Sequence, residues 1–133
     1  MSVVFLDTVG LVALWDKDDQ WHSLARTAYE GLVRERRPMV TTTFVLLECG
    51  NAAARRPYRL AVDRLRKQML DEGTLIVPNA EDWDAAWLAY RNGPSSAAGI
   101  VDQVSFTVMR RLGLSQTFTN DRHFRAAGFE LCF

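Results

Sequence analysis

Residues 3–15 read VVFLDTVGLVALW, and the way this stretch divides decides the fold. Residues 2–6 are short, apolar and β-branched, the composition of a buried strand. Residues 9–15 keep the apolar character and read as the helix that follows. Asp7 stands at the junction, with the hydroxyl of Thr8 directly after it. Burying a lone carboxylate costs several kcal/mol unless it is paired, hydrogen-bonded or bound to a cation. An acid at the edge of a core therefore requires a partner.

Working outward, the same alternation repeats. Residues 16–37, DKDDQWHSLARTAYEGLVRERR, open with acids, place Trp21, Leu24, Ala28 and Leu32 at helical spacing, and end in basic residues that suit the negative pole of a helix. Pro38 stops that helix, and MVTTT (39–43) predicts a second strand. FVLLECGNAAARR (44–56) predicts a helix beginning near Thr43. Pro57 separates it from another, YRLAVDRLRKQMLDEG (58–73), which Gly73 ends. TLIVP (74–78) predicts a third strand and AEDWDAAWLAYRNGP (80–94) a helix with an Asn-Gly-Pro stop. After a loop at SSAAG (95–99), IVDQVSFTVMRRLG (100–113) predicts a helix, SQTFT (115–119) a strand, NDRHFRAAG (120–128) a short helix or turn, and FELCF (129–133) a last strand. Strands alternating with helices indicate an α/β fold with a largely parallel central sheet flanked by helices. With no linker, repeat or low-complexity segment, the expectation is one domain over residues 1–133.

Composition narrows the class without naming a function. A chain of 133 residues with 48% hydrophobic and 24% charged residues is ordinary for a globular domain. The 16 basic and 16 acidic residues cancel, so net charge favours no partner and distribution must decide. Of the basic residues 14 are Arg and 2 are Lys, which suits bidentate phosphate contacts. Cys49 and Cys132 have no metal-type spacing and read as buried thiols in a reducing compartment. No segment approaches the roughly 18 apolar residues of a membrane span, and the first apolar stretch lacks a positive lead and is broken by Asp7. The expectation is a cytoplasmic protein with no membrane partner.

The chemistry lies in the acids. Sites in open α/β sheets form beyond the carboxyl ends of the strands. Asp7 and Asp121 both follow predicted strands, so they share an edge if those strands are parallel neighbours. Glu48 lies on a predicted helix with Phe44 and Asn51 as same-face neighbours, on a mostly apolar stripe. Asp102 lies in the first turn of a helix, where the dipole favours its ionised form, with Ser105 one turn on. Asp102 and Asp121 also have ordinary structural roles open to them, as a helix N-terminal acid and a cap. The acids of DKDD and Glu81, Asp82 and Asp84 fall in polar helix starts and read as solvated. Converging carboxylates repel and stay ionised only around a cation. Oxygen ligation without a Cys or His set points to Mg²⁺ or Mn²⁺. His22 and His123 lack metal spacing.

These residues carry a resemblance. FLDT with Asp7, TTTFVLLECGN with Glu48, GIVDQVSFTVM with Asp102 and TFTNDRHFRAAGF with Asp121 occur in the order and spacing of PIN-domain ribonucleases. Within that family the chain resembles the VapC-type toxins of toxin–antitoxin pairs. The resemblance implies a three-layer α/β sandwich and Mg²⁺ or Mn²⁺ held at Asp7, Glu48, Asp102 and Asp121. It implies Thr8, Asn51 and Ser105 as supporting polar groups, RNA as substrate, a homodimer, and a small antitoxin that covers the site. Metal-activated water would attack the phosphodiester in line, leaving 5′-phosphate and 3′-hydroxyl ends, with no histidine base. Gln103 departs from the pattern, since relatives more often carry a small residue after the third acid.

Two further features remain. Residues 54–67, ARRPYRLAVDRLRK, hold six basic residues against one acid. Arg55, Arg56 and Arg59 read as phosphate contacts beside Tyr58, or else as a solvated helix face. Arg122 and Arg125 flank Asp121 as more local phosphate contacts. Trp15, Trp21, Trp83 and Trp87 read as core or partner interface rather than stacking platforms. Phosphotransfer proteins also place an Asp after strand one. Haloacid-dehalogenase-like phosphatases need a second Asp where Val9 stands, and receiver domains need an acidic pair at residues 10–13 and a late Lys, both missing here. Within the PIN family itself, the chain could be a nuclease of RNA processing without a toxin role, or a non-catalytic RNA-binding module. The presence of all four acids argues against the non-catalytic module.

Overall fold

The computed structural model describes residues 2–94 and 97–133. Five strands, β1 (Val4–Leu6), β2 (Met39–Thr42), β3 (Leu75–Ile76), β4 (Gln116–Phe118) and β5 (Glu130–Leu131), form one sheet in the order β3-β2-β1-β4-β5. Every pairing is parallel. Between the strands run α1 (Thr8–Trp15), α2 (His22–Arg34), α3 (Thr43–Ala53), α4 (Arg59–Glu72), α5 (Ala80–Asn92), α6 (Ile100–Arg111) and α7 (Arg122–Ala126). Successive strands move one way from β1 to β3 and the other way from β4 to β5. Right-handed crossovers then place α1–α4 over one face and α5–α7 over the other. This is the α/β fold with a parallel sheet that the order of elements predicts, in the three-layer form that the resemblance implies.

The centre of the sheet is apolar on both faces, as a parallel sheet covered by helices requires. Val4, Phe5 and Leu6 are buried, together with Phe118 beside them and Phe124 on α7. β1 and β4 pair directly, with Leu6 opposite Phe118. The strand order reverses between them, which makes their carboxyl ends a topological switch point. Gly10 brings α1 against this point: a Cβ there would lie 2.1 Å from the Phe118 carbonyl oxygen, so only glycine permits the approach. Gly73 ends α4 at φ 72°, a left-handed cap that suits glycine.

Several boundaries differ from the sequence reading. The acids of DKDD do not begin α2, which starts at His22. Instead Asp16 accepts from the Asp18 N–H at 3.0 Å and Asp19 from the Trp21 N–H at 2.7 Å, local turns that short acidic side chains favour over helix. The last strand is confined to Glu130 and Leu131, although the Cys132 N–H still donates to the Thr117 carbonyl at 3.0 Å, and Phe133 packs its ring 5.2 Å from that of Phe118. Of the predicted loop at SSAAG, residues 95 and 96 lie outside the described residues. Asp82, expected to be solvated, is 2% exposed and forms a two-pronged bond to Arg111. Among the described residues no helix is long and apolar enough to cross a membrane.

Candidate metal centre

The acids gather where β1 and β4 end. Asp7 follows β1 and caps α1, accepting from the Val9 N–H at 3.3 Å. Its carboxylate also accepts from the Thr119 hydroxyl at 2.9 Å, and that hydroxyl accepts from the Asp121 N–H at 3.1 Å. One side chain thus ties together the loops leaving the two strands. Asp121 caps α7, taking the His123 N–H at 2.9 Å. Asp102 sits in the first turn of α6, and Glu48 stands in the middle of α3, where the Thr8 hydroxyl donates to its carboxylate. Thr8, expected as a supporting polar group, is thus in contact with one of the four acids.

The acids are not equivalent. Asp7 is 1% exposed, whereas Glu48 is exposed to solvent beside a Leu47 that is exposed too. The apolar stripe expected around Glu48 is therefore an open face toward Thr8. Burial, and then the charge of Asp102, raise the Asp7 carboxyl from 3.8 to about 7; bonds from Thr119 and the backbone oppose this. Burial, and then Asp121 and Glu48, raise Asp102 to about 6, with His123 acting in the opposite direction. Among the described residues no Lys or Arg forms an ion pair with any of the four acids. Mutual repulsion is left in place, as a site built for an external cation requires.

The donors fit a divalent cation. Ligand atoms of Asp102, Asp121 and His123 all lie within 4.8 Å of one another, with Asp7 and Glu48 coupled electrostatically to Asp102. Spacing alone does not predict His123 here. Its Nδ1 lies 3.0 Å from Asp121 Oδ1, because both side chains belong to the first turn of α7. The signal in the sequence is the Asp-x-His step at a strand-to-helix turn, and Thr119 two residues before Asp121 is a second one. His22, by contrast, has a structural role, with Nδ1 2.9 Å from the Ala13 carbonyl oxygen.

The remaining candidates divide. Ser105 is buried one turn after Asp102, and its hydroxyl has no partner among the described residues. Asn51 is exposed and makes no side-chain hydrogen bond among them. Arg55, Arg122 and Arg125 are exposed; Arg56 is bound to Asp16 at 2.9 Å, and Arg59 donates to the Ala54 carbonyl at 3.2 Å. Trp15 packs on the core beside Tyr58, while Trp21, Trp83 and Trp87 are exposed. Both cysteines are free thiols, and burial foremost pushes Cys49 up to about 12, so it stays protonated.

With this geometry in place, the model of the PIN domain matches residues 4–130. The chain belongs to the PIN-domain family. Among proteins of that family it is similar to the 23S rRNA-specific endonuclease VapC20 of Mycobacterium tuberculosis, in strains CDC 1551 / Oshkosh and ATCC 25618 / H37Rv. Each is 26% identical over 132 residues, covering 96% of this chain and 95% of the relative. The crystal structure of M. tuberculosis VapC20, a Sarcin-Ricin loop cleaving toxin, superposes with a TM-score of 0.81 at 26% identity, covering 97% of each chain. The expected family and α/β fold are both borne out.

Proposed function

We propose that this PIN domain is a divalent-metal-dependent endoribonuclease, the toxin of a VapC-type toxin–antitoxin pair, acting on RNA in the cytoplasm. One observation carries the reading. Asp7 is buried among acids, raised to about 7, with no cationic side chain among the described residues to neutralise it.

Asp7, Glu48, Asp102 and Asp121 would hold Mg²⁺ or Mn²⁺. A bound cation would supply water activation and charge neutralisation at the scissile phosphate. The chain's own groups do the positioning. Thr119 holds Asp7 and the Asp121 backbone in register, and Thr8 fixes Glu48. Asp7 is fixed further by Gly10's close approach to β4. The buried Ser105 hydroxyl is available to bond an acid or a phosphate oxygen, and Asn51 is available at the rim. Arg122 and Arg125, next to Asp121, are placed to meet the RNA backbone.

Partner surfaces are consistent with the same reading. A groove of about 430 Å³ between α3 and α4, lined by Leu46, Leu47, Val62 and Leu75 with Arg59 and Arg66, suits an apolar antitoxin segment that carries acids. Trp83, Trp87, Leu88 and Tyr90 expose an apolar face of α5 suited to a homodimer. The substrate class proposed is a structured rRNA loop, as in the name of the similar VapC20.

The test is cleavage by the purified chain of a sarcin–ricin-type RNA hairpin and of an unrelated single strand, with Mg²⁺ or Mn²⁺ and then with EDTA. The expected result is metal-dependent cleavage leaving 5′-phosphate and 3′-hydroxyl ends. Cleavage that survives chelation would overturn the metal mechanism, and equal cutting of both RNAs would overturn the rRNA-loop assignment.

A further inference from the structure

His123 lies in the centre's tightest group of potential ligands, although its family signature is a set of acids. Its Nδ1 stands 3.0 Å from Asp121 Oδ1. Adjacent ligands of an octahedral ion with bonds of about 2.1 Å are themselves about 3.0 Å apart. A ring nitrogen and one oxygen from each of Asp102 and Asp121 lie within 4.8 Å of one another, against the roughly 4.2 Å that is the widest separation around such an ion, so small side-chain shifts bring all three onto one ion. The backbone favours this placement: the His123 N–H is bound to the Asp121 carboxylate, which fixes the turn that carries both side chains. His123 is half-buried at the same edge.

We infer that His123 is a nitrogen ligand of this centre and makes it favour Mn²⁺ over Mg²⁺. This rests on reading the acid cluster as a metal centre. The chemical reason is ligand character. Both ions suit oxygen ligands, but Mn²⁺, the first member of the transition series whose affinity for nitrogen sites rises along the row, gains more from one imidazole than Mg²⁺ does. Two carboxylates and one imidazole form a mixed donor set, so the ring should separate the two ions where an all-acid site would not. The competing role for the ring is to orient Asp121 by a hydrogen bond alone, which would serve both ions equally.

The test uses Mn²⁺ bound to the full chain and read by electron spin echo envelope modulation, with isothermal titration of Mn²⁺ and Mg²⁺ alongside. The expected spectrum shows modulation from a directly bound imidazole nitrogen, and it needs no variant. His123→Asn should lose that modulation and weaken Mn²⁺ binding about tenfold while changing Mg²⁺ binding much less. Bound Mn²⁺ without nitrogen modulation overturns the inference and leaves the metal-centre reading standing. An equal loss for both ions in His123→Asn overturns it in favour of an orienting hydrogen bond. No binding of either ion to the wild-type chain overturns the metal-centre reading itself.

Discussion

Asp7 and Asp82 are equally buried, at 1% and 2% exposure, and the protein treats them in opposite ways. Asp82 receives Arg111 Nε and Nη2 at 2.8 Å each, and it closes a capping box with Asn79 at the start of α5. Those bonds, Arg111's first, hold its carboxyl below the usual range. Asp7 receives only neutral donors and faces other acids, so its carboxyl is held up at about 7. A buried carboxylate is tolerable when its cation is part of the chain. Where the chain supplies none, the acid either takes up a proton or meets a cation from outside, and the second is the role proposed here for Asp7. The contrast separates an acid with a structural role from the acid proposed to hold the metal.

The contrast breaks most visibly on substitution. Asp7→Asn should cut metal-dependent RNA cleavage by about a thousandfold or more, the loss of a group that holds the cation. In EDTA at pH 8 the same variant should be more stable than wild type, by roughly 1 to 4 kcal/mol, because a buried, repelled charge is gone. Asp82→Asn should do the reverse: cleavage close to wild type, and stability lower by about 2 kcal/mol, since Arg111 loses its partner and is itself partly exposed. Urea melts and cleavage rates on the two variants check this. If both variants destabilise alike, the distinction collapses.

The second effect is in pH, and its sign follows from the direction of each shift. The folded Asp7 carboxyl titrates at about 7 against 3.8 for its ordinary value. Between those values the folded chain holds a proton that the unfolded chain has released, so metal-free stability falls as pH rises through this window and levels above it. For Asp7 alone the fall is on the order of 4 kcal/mol. Asp82 runs the other way: its contribution is present above its ordinary value and is lost as pH falls below it. Melts in EDTA from pH 4 to 8 should therefore show a decline that Asp7→Asn flattens and saturating Mg²⁺ offsets. A profile in EDTA that rises with pH across this range would contradict the placement of Asp7 among uncompensated acids.

Asp102 gives a smaller effect of the same kind. Asn keeps the shape of Asp at the start of α6, so a purely structural role predicts little change. As one of several repelling acids, Asp102→Asn should melt higher in EDTA, by about 1 kcal/mol of added stability. It should also lose most of the Mg²⁺-induced rise in melting temperature. Retention of that rise together with full cleavage would leave Asp102 as a helix acid only.

Much of this is legible in the sequence because the signals are local. Alternating strands and helices and proline and glycine stops identify the fold class, and acids beside apolar runs point to the four acids proposed to hold the metal. The edge shared by Asp7 and Asp121 follows from one condition, that their strands be parallel neighbours, and β1 and β4 meet it. What is not legible depends on distant pairing or on turn geometry. Asp82 reads as solvated because its partner lies 29 residues further on, on another helix. His123 escapes a sequence reading because spacing rules for metal ligands assume a helix or a knuckle, whereas Asp121 and His123 meet across a capping turn. The exposure of Glu48 is hidden by two leucines, one of which points to solvent.

The smallest expected effect extends the same contrast to cations. Arg55 and Arg56 are neighbours at the end of α3, yet Arg56 Nη2 lies 2.9 Å from Asp16 Oδ2, and Arg55 forms no ion pair among the described residues. Arg56 lines a cleft of about 670 Å³ together with Trp15, Asp16 and Tyr58. A cation that meets a phosphate releases counterions, and each such contact adds about 0.7 to the salt slope for a single strand. Arg55→Gln should therefore reduce the slope of log K against log salt by about that amount, as should Arg59→Gln, whose bond to a carbonyl leaves its charge uncompensated. Arg56→Gln should leave the slope almost unchanged, because the Arg56–Asp16 pair is already neutral as a unit. It should still weaken binding slightly, because Asp16 is left to repel the strand. Binding of a single-stranded RNA measured in EDTA across a salt series reads all three variants without cleavage. Equal slope changes for Arg55 and Arg56 would mean that RNA displaces Asp16, and no change for any variant would make residues 54–67 a solvated face.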